Sequence, residues 1–304
     1  MKSVFFIVGP TASGKSELAA DVAVNCDAEV VSADAFQIYR GLPILTAQPD
    51  EATLRKVPHH LVGSVSPNEE MSAAKFREMA VAAIAEINRR GKIALVVGGS
   101  GLYLKSLTHG LAALPAVDAK LRAQLNALSL DELNARLAAV DPFGAEKIDR
   151  QNKRRLVRAL EIFVQTNAPT SVQRREWNDE ATGAHGVFVF RERAELYSRI
   201  DRRVEAMFRD GVAGEVAHAG ELSKTAEKTL GLGQVRQMLE GEITSSECIA
   251  EMQRATRRYA KRQLTWFRRQ PIFEALNLSL LKDHAAAVDW ILQKVLSFAH
   301  PLND

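Results

Sequence analysis

The sequence predicts an α/β fold in which a parallel sheet is flanked by helices and interrupted by a helical insertion. Three observations carry that prediction. In the N-terminal third, short apolar β-rich runs alternate with amphipathic helical stretches, the pattern of a parallel sheet covered on both faces. From about residue 116 the texture changes, with a helical, glycine-free stretch, "DAKLRAQLNALSLDELNARLAAVDP", followed by a helical, basic one. A further strand-like run, "GVFVF" at 186–190, then resumes the α/β pattern. The expected division is a core of residues 1–115 plus 186–304 and a helical insertion over 116–185.

The elements follow in chain order. Residues 4–8 are an apolar run ending in Gly-Pro, a buried strand. Residues 16–24 have helical spacing, with Leu18, Ala19, Val22 and Ala23 on one side. "AEVVSAD" at 28–34 is a second buried strand that stops at an aspartate. Residues 72–92 form an amphipathic helix whose apolar face carries Phe76, Met79, Ala80, Ala83, Ile84 and Ile87, with Ser72 able to cap it and Gly91 able to end it. "IALVVGGSG" at 93–101 is a third buried strand running into a Gly-Gly turn. "DAKLRAQLNALSLDELNARLAAVDP" and the basic stretch that follows it read as helices of the insertion. "AELYSRIDRRVEAMFRDGVAGEVAHA" is again helical, 245–270 is a long basic helix, and the last 30 residues read as a helical tail.

Composition bounds the rest. The 304 residues are 46% hydrophobic and 25% charged, ordinary for a soluble globular protein. A net charge of +3 does not by itself announce a nucleic-acid binder, so the distribution of charge matters more. Cys26 and Cys248 are far apart and form no Cys-x-x-Cys pair, which argues against a structural zinc site and for a reducing compartment. The apolar run before the glycine loop is too short for a signal-peptide core, and no stretch approaches bilayer length. A cytoplasmic protein without membrane contact follows; a monomer is expected.

Gly9-Pro10-Thr11-Ala12-Ser13-Gly14-Lys15-Ser16 fits G-x-x-x-x-G-K-[ST], with a strand before it and a helix after it. The glycines let backbone N–H groups face a phosphate, and the helix start adds a favourable dipole. Lys15 adds a point charge, and the Ser16 hydroxyl can ligate Mg²⁺. The core is thus expected to be P-loop NTPase-like. Ligands of parallel sheets lie at the carboxyl ends of strands, and two other strand ends carry polar groups, at Asp34 and at Ser100. If the three strands are neighbours, both residues face the phosphate loop. The alternative for Asp34 is a helix cap or an Mg²⁺ ligand, and for Ser100 an ordinary turn hydroxyl. No other apolar run ends in the second acid that phosphoryl transfer usually needs, which weakens a kinase or ATPase reading.

The strongest charge signal is "RATRRYAKRQLTWFRRQP" at 254–271, which no acid interrupts. Ala260, Leu264 and Phe267 form a seam able to dock on the core, leaving Arg254, Arg257, Lys261 and Arg268 on an outer face near Trp266. Such a face is either simply solvated or suited to a nucleic-acid backbone and a stacked base. A second basic cluster, Arg150, Lys153, Arg154, Arg155 and Arg158, lies in the insertion.

Taken together, "GPTASGKS", "SADAFQIYRG", "PHHLV", "VVGGSGLYL", "RRLVRALEI", "LYSRIDRRVEAM" and "TRRYAKRQLTWFR" resemble the bacterial tRNA dimethylallyltransferase (tRNA isopentenyltransferase) family, in family order across nearly the whole chain. The resemblance implies transfer of a dimethylallyl group from its diphosphate to N6 of the adenine next to the anticodon. The loop would then hold a diphosphate leaving group, with Mg²⁺ on Ser16 and Arg203 of "RIDRR" assisting. Asp34 would act as general base and Ser100 would donate to the diphosphate. By the same resemblance tRNA contacts are implied for Asp34, Ala35, Phe36 and Gln37, for Arg122, Arg154, Arg155 and Arg158 of the insertion, and for Lys261, Arg262, Gln263, Trp266 and Arg268. The insertion would close over the tRNA, and His59 and His60 would order a loop. The chain departs from the family pattern at Ala35, Phe36, Leu45, Gln48, Leu232 and Gly233, positions expected to be tRNA contacts.

Overall fold

The computed structural model describes residues 4–111, 114–173 and 183–299. It divides into two compact units, Met1–Thr108 with Gly183–Asp304, and His109–Thr182, where the sequence suggested breaks at 116 and 185.

The larger unit is built on one sheet. Its strands are β1 (Val4–Val8), β2 (Ala28–Ser32), β3 (His59–His60), β4 (Ile93–Gly98), β5 (His185–Phe190) and β6 (Phe273–Asn277). They lie in the order β3-β2-β4-β1-β5-β6, every pair parallel. Because β4 sits between β1 and β2, the three strand ends singled out by sequence are neighbours. β1 and β2 are buried along their whole length, as continuous apolar strands of a covered sheet should be. Side chains alternate between the two faces. Phe6 and Val8 of β1 pack with Phe76, Ala80, Ile84 and Ile87 of helix α3 (Ala73–Arg89), whereas Phe5 and Ile7 pack with Leu18 and Val22 of α1 (Lys15–Asn25) and Ile291 of the C-terminal helix. The α3 cap is as the sequence suggests, with Ser72 Oγ accepting from the Lys75 N–H at 3.2 Å.

The remaining helices are α2 (Glu51–Lys56), α4 (Gly101–Thr108), α5 (Ala119–Ala127), α6 (Leu130–Val140), α7 (Pro142–Lys147), α8 (Lys153–Thr166), α9 (Thr170–Gln173), α10 (Arg193–Arg209), α11 (Val212–Ala217), α12 (Leu232–Leu239), α13 (Ser245–Phe267) and α14 (His284–Ala299). In the smaller unit α5, α6, α7 and α8 enclose a core of Leu125, Leu133, Leu137, Leu156 and Leu160. The end of its basic stretch, 174–182, lies outside the described residues. None of the described helices is long and apolar enough to cross a membrane.

Three expectations give way. The expected helical tail begins with strand β6, which pairs with β5 from Gly186↔Phe273 to Phe190↔Asn277 before α14 starts. Its strand character comes from that pairing rather than from a local signal. His59 and His60 form the edge strand β3 rather than part of a loop, and His60 Nε2 lies 2.8 Å from the buried Glu29 carboxylate. Leu45 and Leu232 are not surface contacts. Both are buried in a cluster with Leu42, Val204 and Met252, so these departures are matters of packing.

Candidate active site

β1 delivers the phosphate loop at the carboxyl edge of the sheet. Gly9 is required there by close approach, because a Cβ would stand 2.2 Å from the Val189 carbonyl oxygen. The loop turns through left-handed backbone at Ala12 (φ 65°) and Gly14 (φ 93°) before α1 begins at Lys15. Arginines from beyond β5 hold its carbonyls. Arg191 Nε donates to Ser13 O and Arg199 Nε to Ala12 O, both at 2.8 Å, and Arg203 Nη2 donates to the Thr11 hydroxyl at 2.8 Å. Arg199 and Arg203 share a face of α10 because they lie one turn apart.

Two of the cations are held away from water, Lys15 buried and Arg203 half-buried. Lys15 donates to Pro10 O at 3.3 Å, and its pKa is lowered to about 8, chiefly by burial; Asp34 opposes that shift and Arg203 adds to it. Burial likewise brings Arg203 down to about 10, again with Asp34 opposing and Arg199 adding. Among the described residues the Arg203 Nε has no hydrogen-bond partner, and neither does the buried Ser13 hydroxyl. A buried unpaired donor costs free energy until a ligand satisfies it.

Asp34 lies just past β2, half-buried. Its Oδ1 accepts from the Phe36 and Gln37 N–H groups at 3.0 and 3.3 Å. One oxygen is therefore a local turn cap, while Oδ2 accepts no hydrogen bond among the described residues. Ser100 is buried, and its hydroxyl accepts from the Ala35 N–H at 2.8 Å, joining the ends of β2 and β4. The Gln37 amide donates to Ala47 O at 2.7 Å. Gln48 donates to the carbonyls of Gln37 and Tyr39, so this departure from the family pattern buttresses the loop.

Asp34, Arg203, Thr11 and Phe36 line one cleft, which also takes in Tyr259, Thr256 and Met252 of α13 and Leu230. The sequence reading missed the contribution of α13 to this wall. The signal was available, since Tyr259 is the aromatic inside "RRYAKRQ", one turn before Gln263. Its ring centroid lies 6.3 Å from that of Phe36, and its phenol is pushed well above its usual range by burial and then by Asp34. A larger polar cavity lies on the other side of Gly14, between Arg191, Arg199 and His284; it contains neither Asp34 nor Lys15.

The basic residues separate into two groups. On α13 and its C-cap Arg268, the cations Lys261, Arg262 and Arg268 are exposed, whereas Gln263 is buried and Trp266 half-buried. Arg257 is paired with Asp201 of α10 and Arg254 approaches Glu251, so acids do offset part of this run. In the smaller unit Arg154 and Arg155 are exposed, but Arg122 and Arg158 both engage the buried Glu161, at 2.5 and 2.9 Å. Those two act as counter-ions within their own unit.

Ser16 is half-buried in the first turn of α1, and its hydroxyl is uncommitted among the described residues. It is a hard oxygen donor of the kind a magnesium ion takes beside phosphate and water. A separate group, Glu17, Asp21 and His284, has ligand atoms within 4.8 Å of one another, but Asp21 is already bonded to Lys56 and His284.

A parallel sheet bearing a phosphate loop, with an arginine, a carboxylate and a loop threonine sharing a cleft, marks a P-loop enzyme of the α/β class. Comparison with known proteins is more specific. The family model for IPP transferase matches residues 37–270. The chain is 42% identical to the tRNA dimethylallyltransferase of Akkermansia muciniphila over 290 residues, 95% of this chain and 98% of that one. It is 44% identical to tRNA dimethylallyltransferase 1 of Citrifermentans bemidjiense over 87% of this chain and 88% of that one. Among solved structures, tRNA isopentenylpyrophosphate transferase of Staphylococcus epidermidis superposes with a TM-score of 0.70 at 29% identity, covering 97% of this chain and 98% of that one. A eukaryotic dimethylallyltransferase acting on tRNA superposes with a TM-score of 0.82 at 26% identity, over 95% and 77% of the two chains. The chain belongs to the IPP transferase family and is a transferase.

Proposed function

We propose that this enzyme transfers the dimethylallyl group of dimethylallyl diphosphate to N6 of the adenine on the 3′ side of the anticodon in tRNAs, releasing diphosphate. The observation that carries the reading is the meeting in one cleft of Asp34 with Arg203 and Thr11 of the phosphate-loop region. A base for the acceptor and a cradle for the leaving group thus share a site. No second acidic strand end is needed, because the bond that breaks is carbon–oxygen.

The roles follow from the chemistry. The adenine must leave its stack to reach the cleft, and Phe36 and Tyr259 offer it ring faces there. Asp34 Oδ2 accepts a hydrogen bond from N6 and takes its proton as the new N–C bond forms. The C–O bond breaks, and its electron pair leaves with the diphosphate. Lys15, Arg203, the loop N–H groups and Ser100 stabilise that growing charge. Ser16 would hold a magnesium ion, which would supply further charge neutralisation on the leaving group. Of the RNA contacts implied by family position, exposed Lys261, Arg262, Arg268, Arg154 and Arg155 are suited to phosphates. The insertion is read as a clamp on the tRNA.

The test is one assay. Purified protein, Mg²⁺, labelled dimethylallyl diphosphate and unmodified tRNA with adenine 3′ to the anticodon are mixed, with adenosine monophosphate as a parallel acceptor and ATP alone as a control. Label is expected in tRNA only. Label in the mononucleotide, or ATP hydrolysis without transfer, would overturn the reading. Asp34→Ala is expected to lower turnover by about 10²–10⁴-fold with tRNA binding nearly unchanged.

A further inference from the structure

We propose that Gln263 is a positioning residue that ties the RNA-facing helix α13 to the phosphate loop, so that RNA and diphosphate strengthen each other's binding. The proposal rests on the functional reading above and goes beyond it, since family position alone would make Gln263 an RNA contact.

The geometry gives Gln263 a different task. Its side chain is buried, its Oε1 accepts the Thr11 N–H at 2.9 Å, and its Nε2 donates to Gly99 O at 2.9 Å. One amide therefore joins the loop after β1 to the loop after β4. Both ends of the bridge lie within the active site. Thr11 is the residue whose hydroxyl Arg203 holds, and Gly99 precedes Ser100. There is no slack around it, for a Cβ on Gly99 would come within 2.3 Å of the Gln263 nitrogen. On the next turn of α13 the Trp266 ring presses on Gly101, where a Cβ would meet it at 2.8 Å. α13 thus grips the β4 loop on both sides of Ser100.

The neighbours of Gln263 in sequence, Lys261 and Arg262, are exposed. A single helix therefore carries cations on its outer face and the clamp of the diphosphate loop on its inner face. Removing the amide leaves a part-buried backbone N–H at Thr11 and a buried carbonyl at Gly99 without these partners, and the loop is free to drift from the geometry its ligand needs. Any displacement of α13 on binding RNA is passed to the loop through this amide. Linkage then requires that diphosphate act on RNA affinity by the same factor.

The test is calorimetric titration of inorganic pyrophosphate with Mg²⁺, with and without an anticodon stem–loop RNA carrying adenine 3′ to the anticodon, and of that RNA alone. In the wild type the RNA is expected to tighten pyrophosphate binding about fivefold or more. In Gln263→Met, pyrophosphate affinity without RNA is expected to fall about tenfold, the enhancement by RNA to vanish, and affinity for the RNA alone to stay within about twofold, inside the spread of a neutral surface change. Gln263→Glu adds an arm that a merely space-filling role would not move. Its protonated carboxyl can make both bonds, so its affinity relative to wild type is expected to recover as pH is lowered. This arm also decides the matter should Gln263→Met fail to fold. Unchanged pyrophosphate affinity in Gln263→Met, or weakened RNA binding with the coupling intact, overturns the proposal. Wild-type protein that binds pyrophosphate but no RNA overturns the functional reading and the coupling with it, while the pyrophosphate arm still reports whether Gln263 holds the loop.

Discussion

At Lys15, folding and ligand binding pull in opposite directions. Burial lowers its pKa to about 8 from 10.5, so the ligand-free fold disfavours the charge that a diphosphate needs. Between those two pH values the unfolded chain holds more protons than the folded one. The stability of the ligand-free protein should therefore rise with pH across that window and be lost as pH falls through about 8. Lys15→Met is expected to raise ligand-free stability at neutral pH by roughly 1–3 kcal/mol, to flatten this pH dependence, and to abolish pyrophosphate binding. Thermal melts across pH, paired with calorimetry, check all three; a variant melting no higher than wild type would contradict the argument. On the proposed function, bound diphosphate would reverse the balance by pairing the ammonium.

At the scale of elements, β1 and α13 carry the site. The β1 exit has room only for glycine, so Gly9→Ala, with its Cβ 2.2 Å from the Val189 carbonyl oxygen, should cost about 1–3 kcal/mol in denaturant unfolding. It should also weaken the loop's hold on pyrophosphate. α13 has two jobs on two faces. Ala260 and Phe267 are fully buried and Leu264 packs beside them, as their spacing suggests, while Arg262 stays exposed with its guanidinium 5.6 Å from the Tyr259 ring. Arg262→Ala is expected to weaken tRNA binding and reduce the slope of log K against log salt by about one. An unchanged slope in a salt titration would remove Arg262 from the phosphate contacts.

At the scale of the molecule, the two units use arginine differently. The core aims Arg191, Arg199 and Arg203 at the phosphate loop. The His109–Thr182 unit uses Arg122 and Arg158 to neutralise Glu161 among its packed helices. Arg158 also donates to Pro115 O at 2.8 Å. Arg158→Ala should therefore destabilise that unit by about 1–3 kcal/mol, since it strips a charged hydrogen bond from a buried carboxylate. Arg154→Ala and Arg155→Ala should leave stability unchanged and lower tRNA affinity. Limited proteolysis and RNA titration of the three variants separate the two roles.

The sequence by itself determined the α/β class, the phosphate loop, the capped helix after Ser72 and the candidacy of Asp34 and Ser100, because each is written in local spacing. A strand–G-x-x-x-x-G-K-S–helix or an i, i+4 apolar seam needs no distant partner to be read. What depends on long-range contact was not legible. The tail segment became strand β6 only through its register with β5. Leu45 and Leu232, nearly two hundred residues apart in the chain, became core only by meeting in one cluster. Arg122 and Arg158, implied as RNA contacts by family position, show their pairing only once folding brings buried Glu161 beside them. Gln263 is likewise an ordinary polar residue in a basic run until tertiary packing sets its amide between Thr11 and Gly99. Local pattern encodes which groups the chain carries, whereas their partners, their burial and so their charge states are set by contacts that no sequence window contains.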